Sequence, residues 1–159
     1  MAALSDYLES GLLHHVFRGE TFPKPYNVSV ALCSGVPVDA NTGVDLPELP
    51  SGYDKGDTGY RRLSLGKPTD IGNAKWTYKQ ADHDVGSGVI KNTASLIFDE
   101  GDGSAALINW GWVSGIAICD DAVVGSGNVL MHAQLTNPRV IYQGDTVKFD
   151  VETLQVRFK

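Results

Sequence analysis

The side chains from which a metal site, an acid–base pair or a nucleophile would have to be built are few: Asp82-His83-Asp84, Asp120-Asp121, His14-His15, His132, Cys33 and Cys119. Their spacing works against each use. Neighbours in an extended segment point to opposite faces, so Asp82, His83 and Asp84 do not converge on one ion without a special turn and read as a solvated loop. His14 and His15 are separated by about 100° of helical arc, not by the i, i+4 spacing with which a helix presents two histidines to zinc. Cys33 and Cys119 form no CxxC pattern and read as buried free thiols, pairing only if their strands meet. His132 alternates within a strand pattern and reads as a surface or partly buried residue rather than a general base. Asp99-Glu100-Gly101-Asp102-Gly103 begins like a calcium loop, but Gly101 occupies the third position and Trp110 the twelfth. Gly125-Ser126-Gly127 starts a dinucleotide-binding pattern that ends wrongly on Leu130, and reads as a hairpin turn. With no GxSxG elbow and no Walker loop present, no catalytic, cofactor-binding or metal-ligating residue is expected. The chain reads as non-enzymatic and free of cofactors.

Composition narrows the partners. A formal charge of −6, with no basic run longer than Arg61-Arg62, disfavours nucleic acid. The acidic N-terminus lacks a secretory charge pattern, and no stretch reaches the roughly 18 apolar residues of a membrane span, so cytoplasmic synthesis is expected. Without a secretory route, Asn27-Val28-Ser29 is simpler as strand residues than as a glycosylation site. The 159 residues suit a single domain, 1–159, whose folding buries roughly 70% of the unfolded chain's surface. Eighteen glycines and seven prolines spread along the chain imply many short elements.

Those elements are of two kinds. Leu4, Leu8, Leu12 and Val16 recur every four residues, with Leu13 and Phe17 widening the stripe, which predicts one amphipathic helix over 5–18. Ser5 is placed as N-cap, Asp6 and Glu9 lie near the positive end of the dipole, and Gly19 terminates. Gly11 weakens the middle by about 1 kcal/mol relative to alanine. After Pro23 and Pro25 the period becomes two: Val28, Val30 and Leu32 alternate with Asn27, Ser29 and Ala31. Further strands are predicted at 60–65, 75–78, 95–98, 112–119, 129–135, 146–151 and 153–158. That pattern predicts a mainly β fold, an antiparallel, jelly-roll-like β-sandwich with one N-terminal amphipathic α-helix. Residues 35–59, dense in Gly, Pro and Asp, predict a long loop that is either an arm reaching a neighbouring molecule or merely mobile.

The stretch Ile108 to Asp121 is the most unusual. Trp110 and Trp112 lie two apart, as do Ile116 and Ile118, a spacing that puts each pair on one side of a strand. A core role is expected for the tryptophans. The competing role, an aromatic sugar-binding platform, needs exposed rings. Gly111 and Gly115 mark bulges or close approaches of another backbone, and Asp120-Asp121 closes the strand.

Read in order, SDYLESGLLHHVFRG, YNVSVALCSGVPVDANTG, GYRRLSLG, KNTASLIFDE, WGWVSGIAICDD, GSGNVLMHAQLTNPRVIYQGDTVKFD and TLQVRFK resemble a family of small structural proteins of tailed bacteriophages, often labelled tail fibre proteins. The resemblance covers nearly the whole chain. A Leu-Leu-x-His segment is matched by Leu12, Leu13 and His15, an apolar strand by Val28 to Leu32, and Gly-Tyr-x-Arg by Gly59, Tyr60 and Arg62. Asn92 and Phe98 bound a further strand. Trp110, Gly111 and Val113 match Trp-Gly-x-Val, and Gly144, Asp145 and Val147 match the last motif.

The resemblance implies a non-enzymatic virion component, made in the host cytoplasm, whose partners are the major capsid protein or tail proteins, and it supplies no catalytic residues. A fibre shaft requires heptads, triple β-helix repeats or collagen triplets, and this chain has none. A single short module favours capsid decoration, as a cement protein, over the alternative of a tail fibre or appendage that binds host carbohydrate. Symmetric homo-oligomers are expected in either position. Docking is expected through the helix stripe, Leu4, Leu8, Leu12 and Val16, and through Val44, Leu46, Leu49 and Tyr53 of the long loop.

Overall fold

The computed structural model describes residues 2–49, 58–68, 75, 89–98 and 106–157. Tyr53, Asp82-His83-Asp84, Asp99–Gly103 and all but the first residue of the strand expected at 75–78 lie outside them.

Helix α1 (Asp6–Arg18) carries Leu8, Leu12 and Val16 of the four-residue stripe, whereas Leu4 lies before it in an extended segment. Ser5 is the N-cap, its Oγ accepting from the Leu8 amide at 3.2 Å. The same hydroxyl donates to the carbonyl of Val129, so the buried cap also fastens the helix to the sheet. Gly19 ends the helix at φ 69°, a left-handed conformation cheap only for glycine, and the Glu20 amide reaches back to the His14 carbonyl at 3.3 Å.

Gly11 has a reason in the packing. A Cβ there would lie 2.1 Å from Cε2 of Phe22, whose ring crosses the helix beside Tyr7, with centroids 5.6 Å apart. Gly11→Ala therefore sets a helical gain of about 1 kcal/mol against displacement of that ring. The expected result in urea unfolding is no net stabilisation. The gain returns in a Phe22→Ala background, whereas a full gain with Phe22 in place would show that the ring does not sit there.

Five antiparallel strands form the main sheet in the order β1-β7-β6-β2-β3: β1 (Ala2–Leu4), β2 (Val28–Cys33), β3 (Leu63–Gly66), β6 (Gly111–Cys119) and β7 (Val129–Ile141). Strands β4 (Val89–Lys91) and β9 (Gln155–Arg157) form one two-stranded ribbon, and β5 (Leu96–Phe98) and β8 (Val147–Phe149) another. The fold is mainly β with one N-terminal helix, and every pairing is antiparallel. Strand β1, too short to display a period, pairs with β7 through Ala3 and His132 and anchors the chain just before the helix.

The period of two sorts side chains between two apolar clusters. Val30, Leu32 and Ile116 join Leu65, Leu96, Phe98 and Tyr60 in the larger one, under the β5–β8 ribbon. On the reverse face Ala31, Cys33, Ala117 and Cys119 join Val129 and Leu46 in a second. The face a one-sided reading of β2 would leave to solvent is thus buried, because the chain beyond Cys33 folds back along it. Ser34 N–H donates to the Pro47 carbonyl at 2.8 Å and Leu49 N–H to the Leu32 carbonyl at 3.0 Å.

Gly115 is a close approach, as its sequence context suggests: an added Cβ would meet Pro37 at 2.5 Å and the Gly35 carbonyl oxygen at 2.7 Å. Gly111 acts differently. Nothing lies near its missing Cβ, but its φ of +80° inverts the alternation at the start of β6. The expectation that Trp110 and Trp112 share one side is therefore corrected: Trp110 is 3% exposed and Trp112 is 59% exposed. Strand β7 also runs past its expected end at 135. Val113 faces Arg139 while Gly115 faces Gln134, so three extra residues of β7 bulge out and accommodate Pro138, which has no amide to give the ladder.

Candidate interaction surfaces

Among the described residues the most completely bonded polar side chain is Arg62, just before β3. Its side chain is fully buried against Glu48, with Nη2 2.9 Å from Oε2 and Nε 3.0 Å from Oε1. Nη1 donates to the carbonyls of Ser126 at 2.7 Å and Asp121 at 3.1 Å, and Nη2 to that of Gly43 at 2.8 Å. All five guanidinium N–H groups have acceptors, which is what a buried arginine requires. Burial, the largest single influence, lowers the Arg62 pKa, but the hydrogen bonds to Glu48 together with the nearby negative charge more than offset it and leave the value raised. Tyr60 completes the cluster: its hydroxyl donates to Glu48 Oε1 at 2.6 Å and accepts from the Leu32 amide at 3.0 Å. Burial first, and the carboxylate beside it second, hold that phenol well above its ordinary pKa.

This cluster pins the expected arm. Gly43 N–H donates to the Gly127 carbonyl at 2.9 Å, and a Cβ on Gly43 would sit 2.0 Å from the Ser126 carbonyl oxygen. Residues 35–49 are thereby fixed against the hairpin turn at 120–128. That turn is held from within by the two closing acids, Asp120 accepting from the Asn128 amide at 2.6 Å and Asp121 from Val123 N–H at 2.9 Å. The bond from Val123, then that from the Ser126 hydroxyl, lower the Asp121 pKa.

The docking residues expected from sequence divide accordingly. Leu46 and Leu49 lie inside the two apolar clusters, and Val44 is exposed. Leu4, which lies in β1, and Leu8 and Leu12 on the helix are half-buried. Val16 is 67% exposed, and it is flanked by Leu13 at 57% and Phe17 at 79%. The apolar side of the helix is therefore half-buried at Leu8 and Leu12 and open at Leu13, Val16 and Phe17. The wheel reveals a wide stripe but not which half meets the sheet.

The remaining chemistry-bearing groups serve the fold. His132 is buried with Nε2 2.9 Å from Asp39 Oδ1, joining β7 to the long loop. Asp39 also ties that loop to the helix, its carbonyl accepting from the Asp6 amide at 2.9 Å. Cys33 and Cys119 are buried and free. Burial pushes the Cys119 thiol up to about 12 and raises Cys33 as well, the opposite of what a nucleophilic thiolate needs. Among the described residues no three His, Cys, Asp or Glu side chains are grouped to hold a metal ion. Sequence reasoning overlooked Glu48 and Asp39, whose partners are distant in the chain. The signal for Glu48 was a lone acid between Leu46 and Leu49.

The motif residues named above are the stitches of this fold. Gly59, at φ 73°, leads into Tyr60 and Arg62. Asn92, fully buried, donates to the carbonyls of Ala94 at 2.8 Å and Asp150 at 2.9 Å and accepts from the Leu154 amide at 2.9 Å, closing the turn between β8 and β9. The Trp110 indole donates to the Thr58 carbonyl at 2.6 Å, and Asp145 accepts from the Tyr142 amide at 2.9 Å beside Gly144, at φ 91°.

A small antiparallel β protein whose buried Arg62, Asn92 and Trp110 bind its own backbone, and whose helix leaves Leu13, Val16 and Phe17 open, has the character of an assembly component. The chain matches the model of the Gp80 family, described as podophage GP4 fiber I protein gp80, over residues 3–157, and it belongs to that family. It is a phage tail fibre-type structural protein, a component of the virion. No curated protein is significantly similar to it.

Proposed function

We propose that this chain is a non-enzymatic tail fibre or tail-appendage module, mounted on other tail proteins of a podophage particle through the outward stripe of α1. The observation that carries this reading is the exposure of Leu13, Val16 and Phe17 along one side of the helix, beside the half-buried Leu8 and Leu12. Apolar side chains so concentrated mark contact surfaces, and covering each contributes roughly 1.5–3 kcal/mol. The family's description as a fiber protein supports a tail position over a capsid-cement position. Copies are arranged symmetrically around the tail, as repeated virion positions require.

The test replaces Leu13, Val16 and Phe17 with Asp together. Because these side chains face outward, the circular dichroism spectrum and melting temperature stay close to wild type. Incorporation into particles, counted by quantitative mass spectrometry of purified virions, falls at least about tenfold. Undiminished incorporation would rule out the helix as the mount, and a capsid-level copy number would rule out the tail.

A further inference from the structure

We propose that Asp39 is a positioning residue for helix α1: bound through its side chain to His132 and through its carbonyl to the first turn of the helix, it sets the direction in which the helix leaves the sheet. That the helix so directed is the mount rests on the reading above; the positioning itself does not.

Asp39 stands second in a tight turn, 38–41, that closes on itself. Asn41 N–H donates to the Val38 carbonyl at 3.0 Å, and Val38 N–H to Asn41 Oδ1 at 2.8 Å. The turn is set between two fixed points, the fully buried Pro37 and the Gly43 amide bonded to the Gly127 carbonyl. It presents one residue to two elements at once. The Asp39 carboxylate reaches β7, with Oδ1 2.9 Å from His132 Nε2, and its carbonyl accepts from the Asp6 amide at 2.9 Å. The first amides of a helix have no partner within it. Here Ser5 takes that of Leu8, and Asp39 takes that of Asp6.

His132 is a fixed donor for this contact. It lies across from Ala3 on one side and Ala117 on the other, and its ring is buried. Nδ1 is buried with no hydrogen-bond partner among the described residues, which assigns the ring proton to Nε2, where it donates to Asp39. Such a bond needs an oxygen in place rather than a charge. The loop 35–49 does not depend on it, because Arg62 and the Gly43–Gly127 contact hold that loop already.

The helix does depend on its first turn. No residue of α1 is buried, and Leu8 and Leu12 are only half-buried, so packing alone gives it little to hold its direction. Ser5 supplies one anchor, its N–H donating to the Leu130 carbonyl at 3.1 Å and its hydroxyl to that of Val129. One anchor lets a helix swing; Asp39 is the second. Leu13, Val16 and Phe17 stand about 10–17 Å along the axis from Asp6, so a tilt of about 20° at the first turn would carry them roughly 4–6 Å.

The test compares Asp39→Ala and Asp39→Asn by hydrogen exchange of the full chain and by incorporation into particles. In Asp39→Ala the amides of α1 should exchange at least about tenfold faster, while those of β2, β6 and 43–48 keep wild-type protection. Asp39→Asn keeps an oxygen to accept from Nε2 and should restore wild-type exchange in α1; a role resting on negative charge near the helix dipole would not survive that change. Incorporation into virions should fall in Asp39→Ala and return in Asp39→Asn. Unchanged exchange in α1 overturns the proposal, as does an Asp39→Asn chain no better than Asp39→Ala. So does a rise spread evenly over α1, β2 and β6, which would mean general loosening. Faster exchange confined to α1 with undiminished incorporation supports the positioning and rules out the helix as the mount.

Discussion

Replacing Arg62 with alanine is expected to lower the free energy of unfolding by about 3–5 kcal/mol, a large share of the 5–15 kcal/mol typical of a domain. The reason is what stays behind. Glu48, with its side chain 6% exposed, would keep a buried charge with, among the described residues, only the Tyr60 hydroxyl to bond it, while the carbonyls of Gly43 and Ser126 would lose their donor and that of Asp121 would keep only the Ser29 hydroxyl. Arg62→Lys should recover only part of the loss, because an ammonium group is a point charge with three donors and cannot span acceptors set around a planar fork. Urea unfolding gives the magnitude. Hydrogen exchange gives the mechanism: amides of 41–48 and of 121–128 should open together in the variant, since one side chain holds both segments. A loss below about 1 kcal/mol, the scale of an exposed ion pair, would show that the guanidinium is solvated.

The second large effect is a contrast between two tryptophans. Trp110→Ala should cost about 3–5 kcal/mol, because it empties a core site where the indole meets Tyr60 edge-on at 5.5 Å and satisfies the Thr58 carbonyl. Trp112→Ala, two residues on, should stay within about 0.5 kcal/mol of wild type, as befits an outward position. Thermal or urea unfolding of the two variants decides it. Equal losses would restore the arrangement in which both rings share one side of the strand.

The local periods made much of this molecule legible in advance. A four-residue stripe, a capping serine and a terminating glycine define α1 because they act within a few residues, and alternation marks β2 and β6 for the same reason. Asp120, Asp121 and the glycines around them read as a turn, and they form one. The motif residues Tyr60, Arg62, Asn92 and Trp110 marked the family, although their spacing gave no hint that their role is to bond distant backbone.

Other features needed the third dimension. The partners of Arg62 lie 14 to 64 residues away, so no window along the chain contains them. Whether 35–49 is an arm or a fixed flap follows from that one side chain, and from the contact between the Gly43 and Gly127 backbones. The sign of φ at Gly111 decides which tryptophan faces water, and a glycine admits either sign. By itself the sequence determined the kinds of element, their approximate limits and the absence of a recognisable reactive motif, since each depends on near neighbours. Tertiary packing alone decided which stripe of the helix and which face of each strand remain uncovered, because exposure is set by what folds against a surface.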